Sequence, residues 1–157
     1  MKVLLISANT EQINMPTLPL GLACVAAATR KAGHEVTYLD LMAQEDVQEV
    51  IKEAMEERSP DVVGISVRNI DDQVMDNPSF LLDPVKDVVA SCRSFSDAPI
   101  VLGGAGYCMY PEVALEYLGA DMGIQGEGEV AFPTLLDKIQ RTHDLSGTPG
   151  LYLPGRG

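Results

Sequence analysis

The sequence is poor in the residues that build metal centres and disulfide frameworks. It has three cysteines, Cys24, Cys92 and Cys108, and no two of them have CxxC spacing. An odd number of widely spaced cysteines argues against a zinc or iron–sulfur site within these residues. Cys24 and Cys92 fall on the apolar faces of predicted helices, so we expect both to be reduced core residues, as in a cytosolic protein. The two histidines, His34 and His143, lie away from the loops described below and do not support a hydrolase triad or a zinc site.

Basic residues and long apolar runs are also scarce. The chain has 11 Lys and Arg against 23 Asp and Glu, which gives a net charge of −12. Binding to nucleic acid phosphates and to anionic membrane surfaces depends mainly on Lys and Arg, so neither nucleic acid nor a membrane is an expected partner. The apolar run at the N-terminus is too short for a secretory signal, and no run approaches the roughly 20 residues of a membrane span. We therefore expect a cytoplasmic protein.

The chain does contain a regular alternation of apolar strands and amphipathic helices. Its 157 residues and 46% hydrophobic content suit one globular domain. Two of the strands are apolar almost throughout, as expected for a parallel sheet that is covered on both faces. Strands are predicted at residues 3–7, 36–41, 61–67, 99–102 and 120–124, and a helix follows each of them.

This alternation predicts an α/β fold with a doubly wound, open parallel sheet. We expect five strands in the order 2-1-3-4-5, which is a flavodoxin-like or Rossmann-like arrangement. The α/β domain is expected over residues 1–143. Residues 144–157, which are rich in glycine and proline, are predicted to be a tail.

The unusual residues of the chain are concentrated in the loops that follow the strands. In an open parallel sheet, ligands bind outside the carboxyl ends of the strands, near the point where the strand order reverses. The loops at that edge are residues 8–18, 68–79, 103–109 and 125–128, whereas the connections at the opposite edge are short and plain. This asymmetry predicts a ligand site at the carboxyl edge of the sheet.

Two glycine-rich segments lie in these loops. GGAG at residues 103–106 lacks the spacing of a dinucleotide fingerprint, and the chain has no GxxxxGK[ST] phosphate loop. Because Gly103 and Gly104 have no side chains, they either let a flat or bulky ligand approach the backbone or form a tight turn with positive φ. In GEGE at residues 126–129, the acids also suit a helix start and the glycines a turn.

In these features the sequence resembles the N-terminal cobalamin-binding domain of B12-dependent radical SAM enzymes. Together the matching segments cover almost the whole chain, and their order and spacing are more specific than any one of them. The resemblance implies cobalamin as the cofactor. The segments are MKVLLIS at the start, PLGL at 19–22 with a small-residue helix ending in GHEV, the strand at 62–66, IVLGGAG at 100–106, GIQGEGEVAFPTLL at 123–136 and PGL at 149–151.

One family motif is altered in this sequence. Many corrinoid domains carry Asp-x-His-x-x-Gly after the first strand, with a serine after the third strand and Gly-Gly after the fourth. Here Pro16 and Leu18 occupy the Asp and His positions, and only the glycine is kept, as Gly21. Neither proline nor leucine can coordinate cobalt or orient a ligand by a side-chain hydrogen bond. The resemblance therefore implies cobalamin bound base-off and without a lower-face histidine, with Leu18 or Arg68 beneath the cobalt.

The serine and the glycines of the family pattern correspond to Ser66, Gly103 and Gly104, where the nucleotide tail of cobalamin would enter a groove. A Gly104→Val change would then block binding by filling that groove. The cofactor-binding residues that the resemblance implies are Asn9, Leu18, Pro19, Leu20, Gly21, Ser66, Val67, Arg68, Asn69, Gly103, Gly104, Ala105, Gly126, Glu127 and Gly128.

The iron–sulfur part of radical SAM chemistry is not encoded in these residues. It needs three cysteines in CxxxCxxC spacing, and none occurs here. In the family that domain follows the cobalamin domain, so we expect a fragment of a longer enzyme. A missing C-terminal radical SAM domain of the same polypeptide would carry the [4Fe–4S] cluster and S-adenosylmethionine. The implied reaction is methyl transfer or related carbon-skeleton chemistry, with no complete active site in this chain.

Two other functions remain open at this point. One is a stand-alone corrinoid carrier or sensor, and the other is a flavodoxin-like domain for FMN or a nucleotide. The first loop argues against FMN because Thr10 and Thr17 supply its only hydroxyls, whereas a phosphate cradle is rich in Ser, Thr and Gly.

Overall fold

The computed structural model describes residues 1–10, 18–72, 76 and 79–155 of the chain. Within these ranges the sheet has six strands: Lys2–Ser7 (β1), Glu35–Asp40 (β2), Val62–Ser66 (β3), Ile100–Gly103 (β4), Met122–Ile124 (β5) and Leu151–Tyr152 (β6). Their order is β2-β1-β3-β4-β5-β6. The first five are parallel, and β6 pairs with β5 in the antiparallel sense. The helices are Leu20–Lys31 (α1), Val47–Arg58 (α2), Leu82–Phe95 (α3), Ala105–Met109 (α4), Pro111–Leu118 (α5) and Gly128–Arg141 (α6), with a 3-10 helix at Leu41–Ala43.

The sheet is buried on both faces because successive strand residues point to opposite sides. Residues such as Leu4 and Ile6 of β1 pack into one core cluster with α2, α3 and α5. Val3 and Leu5, which alternate with them, pack into the other cluster with α1 and α6. Double-sided burial explains why β1 and β3 read as continuous apolar runs instead of alternating ones.

The predicted α/β class and the order of the first five strands are confirmed, but the strand count is wrong. The sixth strand comes from the segment predicted to be a tail, where Leu151 pairs with Ile124 and Tyr152 pairs with Gly123. Two residues inside a glycine- and proline-rich stretch give no periodicity from which a strand could be predicted. The boundary at residue 143 itself stays a prediction.

Two further expectations are wrong. Part of the predicted loop at 103–109 is the short helix α4, which is too brief to show a helical period. Cys24 is exposed and does not belong to the core. The buried stripe of α1 runs through Leu22, Ala26 and Thr29. Since each residue advances about 100° around a helix, Cys24 lies on the far side from Leu22.

One tyrosine joins α4 to the sheet. Tyr107 is fully buried and lies across Gly123, where a Cβ atom would come within 2.1 Å of the tyrosine Oη and 2.3 Å of Cζ. The hydroxyl of Tyr107 has no hydrogen-bond partner among the described residues. Burial raises the pKa of this phenol above its ordinary value, so the group stays neutral at physiological pH. The glycine at position 123 is therefore required by a close approach from α4.

At the amino edge of the sheet, one carboxylate holds β4 beside β5. Asp121 accepts a hydrogen bond from the backbone N–H of Ile100 at 2.6 Å and also pairs with the Arg93 guanidinium.

None of the helices in the described part of the chain combines the length and hydrophobicity that crossing a bilayer requires.

We expect Gly123→Ala to lower the free energy of unfolding by about 1–3 kcal/mol, because the added methyl group overlaps the Tyr107 ring. Denaturant unfolding measures this loss. The matched control is Gly21→Ala, where a Cβ meets no atom within 4 Å and alanine should stabilise α1 by about 0.5–1 kcal/mol. Equal stability of wild type and Gly123→Ala would contradict the close approach.

The thiols of Cys24 and Cys92 should differ in reactivity. Cys92 is 1% exposed, and burial raises its pKa to about 11, so at pH 8 it is a shielded neutral thiol. Cys24 is exposed and should react rapidly with a thiol-specific reagent. Peptide mass spectrometry should find the rapid label on Cys24, with Cys92 modified only in denaturant. Rapid labelling of Cys92 in the native protein would refute this core packing.

Candidate functional site

A cavity of about 480 Å³ opens at the carboxyl edge of the sheet. It lies between the ends of β1, β3, β4 and β5 and the first turns of α1 and α6. This volume is in the range of sites that bind small molecules and cofactors. The edge of the sheet predicted to bind a ligand is thus the edge that carries the cavity.

The floor of the cavity is apolar and tightly packed. Gly64 of β3 lies beneath Leu5 and Phe132, and a Cβ on it would come within 2.6 Å of Leu5 Cδ2 and 3.2 Å of Phe132 Cζ. Val101 and Ile124 also line the cavity from neighbouring strands. A floor of this kind favours burial of an apolar or aromatic group of a ligand.

Three glycines of the cavity lining have open space where a side chain would be. A Cβ on Gly21 or Gly126 would meet no atom within 4 Å, and one on Gly103 would meet its nearest atom, the Ile124 carbonyl oxygen, at 3.8 Å. Gly103 is the last residue of β4, and Gly126 lies in the loop after β5. The bare backbone at these positions widens the mouth of the cavity.

Gly104, like Gly126, has a positive φ, and unlike Gly126 it also has close neighbours. Its φ is +95°, and a Cβ on it would lie 2.5 Å from the Val67 carbonyl oxygen and 2.8 Å from the Ser66 Oγ. The glycine is therefore needed for the turn into α4. A Gly104→Val change would strain the backbone as well as fill the groove, so the loss of binding expected for it would not isolate the cofactor site.

Most of the predicted site residues line this cavity, and two do not. The Val67 side chain is buried in the core on the α2–α3 side, because strand alternation turns it away from Ser66 and Arg68. Asn69 lines a much smaller neighbouring pocket, which Asn9 and Arg68 also line. The predicted residues in the main lining are Asn9, Leu18, Pro19, Leu20, Gly21, Ser66, Arg68, Gly103, Gly104, Ala105, Gly126, Glu127 and Gly128.

Sequence reasoning missed the floor and one part of the wall. Leu5, Val101 and Ile124 could have been found, since the strand period places them on the face that α1 and α6 cover. Met42 comes from the 3-10 helix after β2, and its sequence context gives no signal for the cavity. The sequence therefore predicted the loop residues around the cavity but not the apolar residues at its floor. The other lining residues that were not predicted are Ser7, Leu22, Val25, Gly64, Ile65, Leu102, Glu129 and Phe132.

The charged groups of the lining are few. Arg68 supplies positive charge, and Glu127 and Glu129 supply negative charge at the start of α6. In the described residues no side chain caps the N-terminus of α1 or of α6, so backbone N–H groups of both first turns are left for other partners. The described residues hold no cluster of His, Cys, Asp and Glu that could bind a metal ion.

The rim of the cavity carries two exposed leucines. Leu18 is 89% exposed and Leu20 is 70% exposed, and both belong to the lining. Large apolar side chains exposed at the rim of a cavity are suited to cover part of a bound ligand. Together with the apolar floor, they suit a large ligand that covers the mouth.

The comparisons with known proteins agree with this geometry. The family model for the B12 binding domain matches residues 6–136. The chain is 30% identical over 148 residues to a tryptophan 2-C-methyltransferase of Streptomyces laurentii, covering 92% of this chain and 25% of that protein. It is 34% identical to a cytidylyl-2-hydroxyethylphosphonate methyltransferase of Streptomyces wedmorensis, covering 83% of this chain and 27% of that protein. The chain thus spans about a quarter of the length of these curated relatives.

Solved structures give the same result. The radical S-adenosylmethionine methyltransferase TsrM from Kitasatospora setae, solved with cobalamin and a [4Fe–4S] cluster bound, superimposes with a TM-score of 0.90 and 32% identity. That match covers 97% of this chain and 27% of the TsrM chain. The cobalamin-dependent enzyme OxsB, at a TM-score of 0.71 and 20% identity over 96% of this chain and 20% of its own, supports the fold alone.

The predicted resemblance to the cobalamin-binding domain of B12-dependent radical SAM enzymes is therefore confirmed, and so is cobalamin as the cofactor. By its sequence, its fold and the glycine-walled cavity at the carboxyl edge of its sheet, this chain belongs to the B12-binding domain family.

Proposed function

We propose that this chain is the cobalamin-binding part of a longer radical SAM methyltransferase, and that it holds the cofactor base-off. The observation that carries the proposal is the cavity at the carboxyl edge, with an apolar floor and side-chain-free walls at Gly103 and Gly126. The methyltransferase activity is suggested by the relatives, two of which are named as methyltransferases of small molecules.

The size of the cavity supports base-off binding. A cavity of about 480 Å³ is large enough to receive a group the size of the nucleotide tail of cobalamin. A tail held between Ser66, Gly103 and the floor cannot at the same time coordinate the cobalt. The corrin would then rest on the rim, where Leu18 and Leu20 are exposed and Gly21 leaves open space.

The positions of the two histidines support a lower face without imidazole. His34 lies at the amino edge of the sheet, where its Nδ1 is 3.4 Å from the N-terminal amine of Met1. Burial and that amine lower the pKa of His34. His143 follows the far end of α6, whose 14 residues span about 20 Å from the cavity. Leu18, which stands at the histidine position of the family motif, or Arg68 would then face the bound cofactor.

The chemistry of this arrangement follows from the missing nitrogen ligand. Bound cobalamin would supply a cobalt that carries the methyl group, and a cobalt without a strong lower ligand transfers it more readily. The residues of this chain would bind the tail, keep water from the lower face with Leu18 and Leu20, and set the orientation of the ring. The [4Fe–4S] cluster and S-adenosylmethionine would belong to another domain of the same polypeptide, as in TsrM, whose structures contain them or an analogue.

Hydroxocobalamin should bind to the chain, whereas FMN should not. Equilibrium dialysis with visible spectra separates the two ligands. After reduction to the Co(II) form, electron paramagnetic resonance should show cobalt hyperfine lines without nitrogen splitting, because neither an imidazole nor the cofactor's own base coordinates the metal. Nitrogen splitting would refute the base-off proposal, and binding of FMN in place of hydroxocobalamin would refute the cofactor assignment for the isolated chain.

The two adjacent glycines at the end of β4 provide a matched pair of variants. Gly103→Val should keep the fold, since a Cβ there has its nearest neighbour at 3.8 Å, yet it should weaken hydroxocobalamin binding at least about tenfold by filling the cavity mouth. Gly104→Val should lose stability as well, because of its positive φ and the contact with Val67. Binding and denaturant unfolding are measured on both variants.

A third variant tests the same cavity from α1. Gly21→Leu places a good helix former in open space at the mouth, so it should unfold no more easily than wild type and should bind hydroxocobalamin more weakly. Gly21→Ala, with a single added methyl group, serves as its control. Wild-type affinity in both Gly103→Val and Gly21→Leu would place the cofactor elsewhere.

A further inference from the structure

The loop after β5 is held by a single side chain that reaches two other elements. The Gln125 Nε2 donates a hydrogen bond to the carbonyl oxygen of Cys108 at 2.9 Å. The Gln125 Oε1 accepts one from the hydroxyl of Tyr152 at 3.0 Å. Cys108 belongs to α4 and Tyr152 to β6, so this amide joins the loop to both.

Backbone contacts fix the same loop from both sides. The N–H of Gly126 donates to the Cys108 Sγ at 3.3 Å, and the N–H of Gln125 donates to the Gly150 carbonyl oxygen at 2.8 Å. Gly150 has φ of +63°, and a Cβ on it would lie 2.0 Å from the Gln125 carbonyl oxygen. The segment that precedes β6 therefore lies directly against the loop.

Helix α4 is in turn bonded to the residues that follow β3 and β4. The N–H of Cys108 donates to the carbonyl oxygen of Gly104 at 3.0 Å, and the N–H of Gly106 donates to that of Val67 at 3.0 Å. A continuous set of hydrogen bonds thus runs from the Gly103–Gly104 loop, through Cys108, to the Gly126–Gly128 loop. The contacts of Cys108 with Gln125 and Gly126 join these two segments beyond the last β4–β5 pair, which is Leu102 with Gly123.

Glutamine is suited to this position because its amide donates at one end and accepts at the other. The side chain is exposed, so its two hydrogen bonds contribute little to the stability of the whole fold. We propose that Gln125 is a positioning residue that sets the separation of the two glycine loops and so keeps the cofactor cavity preformed. The effect on binding rests on the proposed cobalamin function, whereas the effect on the loop does not.

Three variants and one control test the proposal. Gln125→Leu removes both side-chain hydrogen bonds at similar volume. Gln125→Glu keeps the acceptor for Tyr152 but sets a carboxylate against the Cys108 carbonyl oxygen, and Tyr152→Phe removes one hydroxyl donor. The control is Tyr117→Phe, which likewise removes a phenol hydroxyl bonded to a side chain, that of Asp83, on the outer surface away from the cavity.

Hydroxocobalamin is the probe for the binding measurement. We expect its dissociation constant to rise about five- to tenfold in Gln125→Leu and Gln125→Glu, and about two- to threefold in Tyr152→Phe, mostly through faster dissociation. Tyr117→Phe should bind as wild type does. The midpoint of denaturant unfolding should stay close to wild type in the two Gln125 variants, which separates positioning from a general loss of stability.

Amide hydrogen exchange of the cofactor-free chain gives a second readout. Exchange at Gly126 and Glu127 should become faster in Gln125→Leu and Tyr152→Phe and should not change in Tyr117→Phe. If wild type does not bind hydroxocobalamin, the proposed function fails, but this exchange measurement still decides the positioning role. Unchanged exchange at Gly126 overturns the proposal. So does wild-type affinity in Gln125→Leu, or an affinity loss matched by a global loss of stability.

Discussion

The arrangement of this molecule depends on a parallel sheet that is buried on both faces. Once Leu4 and Ile6 face one helical layer and Val3 and Leu5 face the other, the interiors of the central strands β1, β3 and β4 carry only apolar side chains and glycine. Polar and conformationally unusual residues are then confined to the two edges of the sheet. At the amino edge they serve the fold, as Asp121 does for β4 and β5. At the carboxyl edge these residues are available to bind a ligand.

The glycines of this fold are required for different reasons at different positions. Gly123 and Gly64 are glycines because a neighbouring side chain occupies the place of a Cβ, and Gly104 because the turn into α4 needs a positive φ. Gly103 has open space before it at the mouth of the cavity, and Gly126 combines open space there with a φ of +103° that also favours glycine. A glycine motif read from sequence therefore mixes folding requirements with binding requirements, and only the neighbours of each residue separate the two.

This difference also explains how far the sequence could be interpreted. Strand order and the location of the site follow from hydrophobic periodicity and from the general rule for open sheets, both of which are properties of long segments. The floor residues Leu5 and Val101 obey the same period and were within reach. The family resemblance implied Val67, the last residue of the predicted third strand, and Asn69, from the loop after it, although side-chain direction at a strand end decides which face a residue joins. Strand β6 and helix α4 were missed because they are short and are fixed by single contacts, such as those of Gly150 and Tyr107, which leave no periodic trace.

The two short elements matter because they connect parts of the cavity that the sheet alone does not hold. The floor is fixed by close packing around Gly64 and Phe132, and close packing resists deformation. The walls are loops, held by hydrogen bonds of Cys108 and Gln125 near the surface, where water competes for the same groups. Under the proposed function, a rigid floor with hydrogen bonds between its walls would let a large cofactor enter with most of the ordering cost met before binding. On this view, α4 and β6 are as much a part of the cofactor site as the glycines that line it.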